Sequence, residues 1–260
     1  CLLSRGLGDV YKRQLGNKLK LFKPNDEVFS MGAPRREPGR RANEAEKLIQ
    51  LKRPFYFALT ETSNKEYRQW KSEHNSSSIR GLSLDLNDQP VSNIAWQDAA
   101  LFCNWLSEKE NLPKFYNVVG DRVTSINWDS NGYRLPTESE WSWVAKVTKA
   151  GSTKVFPWNS PSYPPSFVSG NYADESAKSM LPFTISNYND SFPVSASVGS
   201  FQPNEKGIFN LSGNVAEWVN DFYEIRVNKS EPLVDYRGPN TGNRHVIRGA
   251  SWALGSRSEL

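Results

Sequence analysis

At 260 residues, with 37% hydrophobic and 23% charged positions, the chain has the balance of one large globular domain able to bury a core, and an ordered rather than a disordered chain is expected. A formal net charge of +4 gives no electrostatic support to a nucleic-acid partner. No apolar run reaches the roughly 18 residues of a membrane span, which predicts a soluble chain. Two cysteines, Cys1 and Cys103, exclude a disulfide framework and every multi-cysteine zinc pattern.

In chain order, residues 1–14 read like translated sequencing-adapter text and are set aside, leaving 15–260 as the expected domain. Val28–Gly32 and Phe55–Leu59 are short apolar runs that predict strands. Between them, Arg35–Glu44 is a basic loop interleaved with Glu37 and Glu44, read as solvated surface rather than an anion site. Ser63 with Glu66 forms a capping-box pattern opening a helix from Asn64 to about Lys71, with Tyr67 and Trp70 on one face. Ala99, Cys103 and Leu106 follow helical spacing, which buries Cys103 as an inert thiol. Thr137 and Glu140 form a second capping box, and Trp141, Val144 and Ala145 face inward on a helix expected to run until Gly151.

Residues 152–210 lack periodicity but keep recurring aromatics, so long ordered loops are expected there, held by something other than regular structure. The last segment reads as strands over Ile208–Trp218 and His245–Trp252, joined by a variable loop. His74 and His245, the two histidines, stand in no ligand or nucleophile pattern and read as packing or surface residues. No phosphate-cradling glycine loop occurs.

A set of markers in fixed order then carries a resemblance: Glu61-Thr-Ser-Asn-Lys-Glu-Tyr67, Pro90-Val-Ser-Asn-Ile-Ala-Trp96, Tyr133-Arg-Leu-Pro-Thr-Glu-Ser-Glu-Trp141, Gly170-Asn-Tyr172, Asn210-Leu-Ser-Gly-Asn-Val-Ala-Glu-Trp218 and Arg248-Gly-Ala-Ser-Trp252. Together they resemble the formylglycine-generating enzyme (sulfatase-modifying factor) family. The resemblance implies an α+β, C-type-lectin-like fold, rich in loops and poor in regular elements. It also implies two structural Ca²⁺ sites. The first would use the Asn171 side chain, the Tyr172 carbonyl, the Asp190 carboxylate and the Phe192 carbonyl; the second would use Asn210, the carbonyls of Gly213 and Val215, and Glu217. Hard oxygen donors of this mixed kind suit calcium. The competing reading is that these Asx and Glu residues simply cap turns.

The chemistry of the family needs two enzyme thiolates that hold Cu(I), a soft ion suited to soft ligands. Their positions here are Leu254 and Glu259, so copper is not expected and no catalytic residue is assigned, although Ser251 matches the active-site serine. A related iron-dependent branch requires three histidines that this chain lacks. The family normally continues past Leu260 to a terminal Gly-Phe-Arg strand, so the domain is expected to be C-terminally truncated, and an upstream segment to be missing. The expected function is a non-catalytic, calcium-stabilised binding or structural module of a larger bacterial protein. Its loops Ser160–Phe167 and Arg226–His245 would present Tyr163 or Tyr236 to a protein or small ligand. The alternatives are a formylglycine-generating oxidase with cysteines beyond Leu260, or another oxidoreductase on the same scaffold. Compartment, cell envelope or cytoplasm, stays open.

Overall fold

The computed structural model describes residues 10–12, 18–158, 160–225 and 228–259. The rest of the adapter-like stretch 1–14 lies outside them. Val10–Lys12 (β1) and Phe55–Ala58 (β5) flank Lys18–Phe22 (β2) in an antiparallel three-stranded sheet. Val28–Met31 (β3) pairs antiparallel with Lys47–Gln50 (β4). Three two-stranded units complete the β-structure of the N-terminal and central chain and its end: Ser78–Ile79 (β6) with Leu82–Ser83 (β7), Tyr116–Val119 (β8) with Arg122–Ile126 (β9), and Glu217–Phe222 (β10) with His245–Arg248 (β12). Asn228–Val234 (β11) lies inside what the sequence presents as a loop and adds in parallel to β4.

Among the described residues three α-helices form, the second and third packed on strands and the first against the second. Both capping boxes form: Ser63 caps Asn64–Tyr67 (α1) and Thr137 caps Glu138–Lys146 (α3), each with the reciprocal bonds to Glu66 and Glu140. Such caps contribute roughly 1 kcal/mol each. α1 stops at Tyr67 rather than Lys71; the chain continues in turns in which both Trp70 and Lys71 donate to the Tyr67 carbonyl. α3 likewise ends at Lys146, before Gly151, because Val147 turns extended and bridges Thr153. Trp96–Lys109 (α2) presents Ala99, Phe102, Cys103 and Leu106 inward as the spacing predicts.

The largest core cluster sits where α3 meets the sheets: Trp141, Val144 and Ala145 pack with Phe22, Phe29, Ile49, Phe55 and Val219. Each large side chain buried there contributes about 1.5–3 kcal/mol by removal of apolar surface from water. The described residues of 152–210 are loops, as expected, apart from a 3-10 turn at Glu175–Ala177 and the bridge at Thr153. Residues 208–216, read from sequence as strand, are instead turns. Asn210 and Asn214 adopt positive φ of 58° and 69°, a conformation that Asn tolerates and that breaks strand pairing. No described helix is long and apolar enough to cross a membrane.

Candidate functional site

The first predicted ligand set converges on a buried turn. Asn171 and Tyr172 are fully buried and Asp190 nearly so. Asp190 Oδ2 accepts the Tyr172 amide at 3.0 Å and Oδ1 accepts the Phe192 amide at 2.8 Å, which brings the two carbonyl-bearing residues to the same carboxylate. Asp190's own amide donates to Asp174, a second buried acid. Burial, with the charge of Asp174 adding to it, pushes the Asp190 carboxyl up to about 7. The Asn171 amide gives its Nδ2 hydrogens to the Val194 carbonyl at 2.8 Å and to Asn214 Oδ1 at 3.2 Å. That arrangement leaves Asn171 Oδ1 buried without a hydrogen-bond partner among the described residues.

The second set repeats the pattern. Asn210 Nδ2 donates to both oxygens of Glu61 at 3.0 Å, and Asn210 Oδ1 is likewise buried and unpartnered among the described residues. Glu217 accepts from Trp141 Nε1 at 2.7 Å. Its carboxyl is pushed up to about 8 by loss of solvent and then by the nearby charge of Glu61. The carbonyls of Tyr172, Phe192, Gly213 and Val215 accept no hydrogen bond from a described residue. Groups of this kind are ordinarily paired, so an orphaned amide oxygen in each of two neighbouring turns requires an explanation.

Glu61, which the sequence reading did not assign to the site, is the hub of this region. It is buried, accepts from Asn210 and from Asn214 Nδ2 at 2.9 Å, and burial raises its pKa. Asn214 in turn bonds Asn171, so the two turns share one hydrogen-bond chain. Gly213 packs so closely on Asn171 that an added Cβ would lie 2.4 Å from the Asn171 carbonyl oxygen. The sequence signal for Glu61 is that it heads the marker Glu61-Thr-Ser-Asn-Lys-Glu-Tyr67, two residues before the Ser63 cap.

The segment carrying Ser251, Leu254 and Glu259 lies against these turns: Trp252 N donates to the Asn214 carbonyl at 3.0 Å, and Leu254 O accepts from Ala173 N at 3.0 Å. Ser251 and Trp252 line a cavity that Glu61 and Glu217 also reach. Leu254 packs on the cluster of Phe156, Trp158, Tyr172 and Tyr188. Glu259 accepts the amides of Gly255 at 3.2 Å and Ser256 at 2.9 Å and stands 3.7 Å from Arg41. Those amides, together with the Arg41 charge, outweigh partial burial and hold its carboxyl below the usual range. Cys103 is buried on α2 beside Trp96, Phe115 and Tyr116.

Two expected ligand anchors are corrected. Tyr163 is half-buried against Phe156 with its hydroxyl on the Gly255 carbonyl, and Tyr236 packs on the main core with its hydroxyl 2.6 Å from Glu224. Phe167, 47% exposed in the first loop, is free to meet solvent where Tyr163 is not. Arg226, in the second loop, lies outside the described residues. Both histidines are packing residues: His245 is stacked on Trp96 at 3.6 Å and His74 sits 4.8 Å from the Tyr67 ring.

A match over residues 26–259 to the sulfatase-modifying factor enzyme 1-like domain shows that the chain belongs to this family. It is 28% identical over 165 residues to a formylglycine-generating enzyme of Streptomyces coelicolor, covering 64% of this chain and 42% of that protein. It is 30% identical over 183 residues to the chaperone protein LppX of Paenibacillus barcinonensis, covering 63% and 61%. It is 25% identical over 230 residues to the inactive Cα-formylglycine-generating enzyme 2 of Mus musculus, covering 77% and 64%. The chain therefore spans less than two thirds of the length of each of these relatives. In fold it is similar to Treponema denticola variable protein 1, with a TM-score of 0.73 at 22% identity over 97% of this chain and 91% of that one.

Proposed function

We propose that this chain is a non-catalytic member of the family, a cation-stabilised scaffold that serves as a binding or structural module of a larger protein. The observation that carries the reading is the occupation of both thiolate positions by side chains with other work. Leu254 fills an aromatic cluster and Glu259 caps the turn at Gly255 and Ser256. Neither side chain offers a soft ligand to Cu(I). Cys103 supplies no substitute, because α2 buries it among aromatic rings. Relatives that are called inactive, or chaperones, make a non-oxidising member consistent with the family's range.

Calcium is the cation that the donor set fits. Asn171 Oδ1 with Asp190 and the Tyr172 and Phe192 carbonyls would hold one ion; Asn210 Oδ1 with Glu217 and the Gly213 and Val215 carbonyls would hold the other. Two orphaned buried amide oxygens support this assignment over simple turn capping. The ions would pin loops that have little regular structure, leaving the exposed loops to vary on a fixed base.

The test is Cu(I) affinity, measured by competition with a chromophoric chelator on the folded protein, beside a Leu254→Cys/Glu259→Cys variant. Wild type should take up no copper. Stoichiometric, tight uptake by wild type would refute the non-catalytic reading.

A further inference from the structure

In the cavity that Glu61 and Glu217 also line, three guanidiniums stand close enough to act on one another. Arg53 comes from the turn between β4 and β5, Arg134 from the approach to α3, and Arg237 from the segment after β11. Arg237 lies over an aromatic support: its Cζ is 4.0 Å from the ring centroid of Trp128, and Arg134 Cζ is 5.8 Å from the same ring. Trp128 is itself wedged edge-on against Phe115 at 5.0 Å and 87°. The support is therefore rigid, and a guanidinium held on it loses little freedom when it takes a further partner.

The acids nearby are already engaged. Glu140 receives Arg134 through two bonds of 2.7 and 2.6 Å and also accepts the Thr137 amide. Asp235 accepts the amides of Lys52 and Arg53 at 2.8 and 3.3 Å and stands 3.8 Å from Arg53 Nε. Arg237 makes no hydrogen bond and no ion pair with any described residue. Partial burial, and then the charges of Arg53 and Arg134, lower its hold on its proton from the ordinary arginine range. It stays protonated regardless, in a positive field that a bound anion would relieve.

We propose that Arg237, oriented by Trp128, receives the carboxylate of a monoanionic ligand in the cavity shared with Arg53, Asn131 and Arg134. The guanidinium fork matches a planar carboxylate through two parallel N–H donors. Glu140 pairs with Arg134 and Asp235 with Arg53, which leaves Arg237 without a paired acid of its own, and one negative charge satisfies it. A phosphate dianion would bring a second negative charge toward Asp235 and Glu140. None of Arg53, Trp128, Arg134 and Arg237 belongs to the two cation sets or to the Leu254 and Glu259 positions, although Val215 and Glu217 line the same cavity; the proposal requires neither calcium nor copper.

The test is titration of sodium benzoate into the full 260-residue chain, followed by backbone amide shifts at Asn131 and Gly238, with inorganic phosphate as the comparison. Benzoate should give saturable shifts in the millimolar range, at least about tenfold weaker in Arg237→Gln, which corresponds to about 1.4 kcal/mol. Arg237→Lys keeps the charge but not the fork and should fall between them. Trp128→Leu keeps all three charges and should also weaken binding; melting curves of each variant establish that it is folded. Shifts that fail to saturate, or an unchanged affinity in folded Arg237→Gln, would overturn the proposal. Equal or tighter binding of phosphate at the same amides would overturn the carboxylate assignment.

Discussion

Replacing Asp221 by asparagine should stabilise the protein at pH 8 and flatten its stability profile. Asp221 sits on β10, 1% exposed, with Oδ2 accepting the Glu138 amide at 2.9 Å and Oδ1 unpartnered among the described residues. Burial first, and the charge of Glu138 next, push its carboxyl from 3.8 up to about 8. The folded pKa exceeds the unfolded one, so between about pH 4 and pH 8 the folded state holds a proton that the unfolded state has released, and stability falls as pH rises through that window. About four units at about 1.36 kcal/mol each set a ceiling of roughly 5–6 kcal/mol on this cost. Asparagine removes the titration, but its second amide hydrogen needs an acceptor that the site does not provide, so a net gain of about 1–3 kcal/mol at pH 8 is expected. For a chain of this size that is a rise of roughly 2–10 °C in melting temperature. Thermal unfolding by circular dichroism from pH 5 to pH 8 measures it, with the variant's advantage growing as pH rises. A variant that melts below wild type by the same margin at both ends of the range would mean that Asp221 is ionised and paired in the folded state, and the reasoning would fail.

Three further outcomes follow from the same geometry. Added Ca²⁺ should raise the melting temperature and a chelator lower it, by about 2.7 kcal/mol per site at a hundred times the dissociation constant; equal curves with and without chelator, and no bound metal by elemental analysis, would remove both sites. Glu61→Gln keeps the side-chain volume but replaces a carboxylate that accepts from both Asn210 and Asn214. It should lose most of any calcium-dependent shift measured by calorimetry, whereas an unchanged shift would reduce Glu61 to a bystander. In a Cys1→Ser background, Cys103 should react with a thiol reagent only once denaturant is added, since α2 buries it; rapid reaction in the folded state would contradict that placement.

Much of this was legible because local signals and tertiary structure agree. The Ser63 and Thr137 caps name their own helix starts, and the stripe of Ala99, Cys103 and Leu106 names its buried face. Misreadings arise where a long-range contact or backbone conformation overrides local pattern. Ile208 and Leu211 are apolar enough for a strand, yet the left-handed Asn210 and Asn214 turn the chain between and beyond them. Val147 ends α3 four residues early by entering a bridge with Thr153 that helical periodicity does not encode. Tyr163 and Tyr236 look like free loop aromatics, but their hydroxyls find partners on distant or folded-back chain. Asn171, Asn210 and Glu217 stand inside the ordered markers, whereas Asp190 lies outside the quoted ones and rests on the resemblance alone. Glu61 heads the first marker, but its place in the site was not legible, because it meets Asn210 across 149 residues and no local spacing links them.

The most direct test of the non-catalytic reading is turnover itself. The protein, loaded with Cu(I) under oxygen and a reductant, is incubated with a cysteine-containing sulfatase peptide, and the product is scored by mass spectrometry with hydrazine trapping of any aldehyde. The expected result is an unmodified peptide under conditions in which a formylglycine-generating enzyme converts it. Copper-dependent formation of formylglycine by the wild-type chain would contradict the account, because it would require a thiolate centre that Leu254 and Glu259 cannot provide.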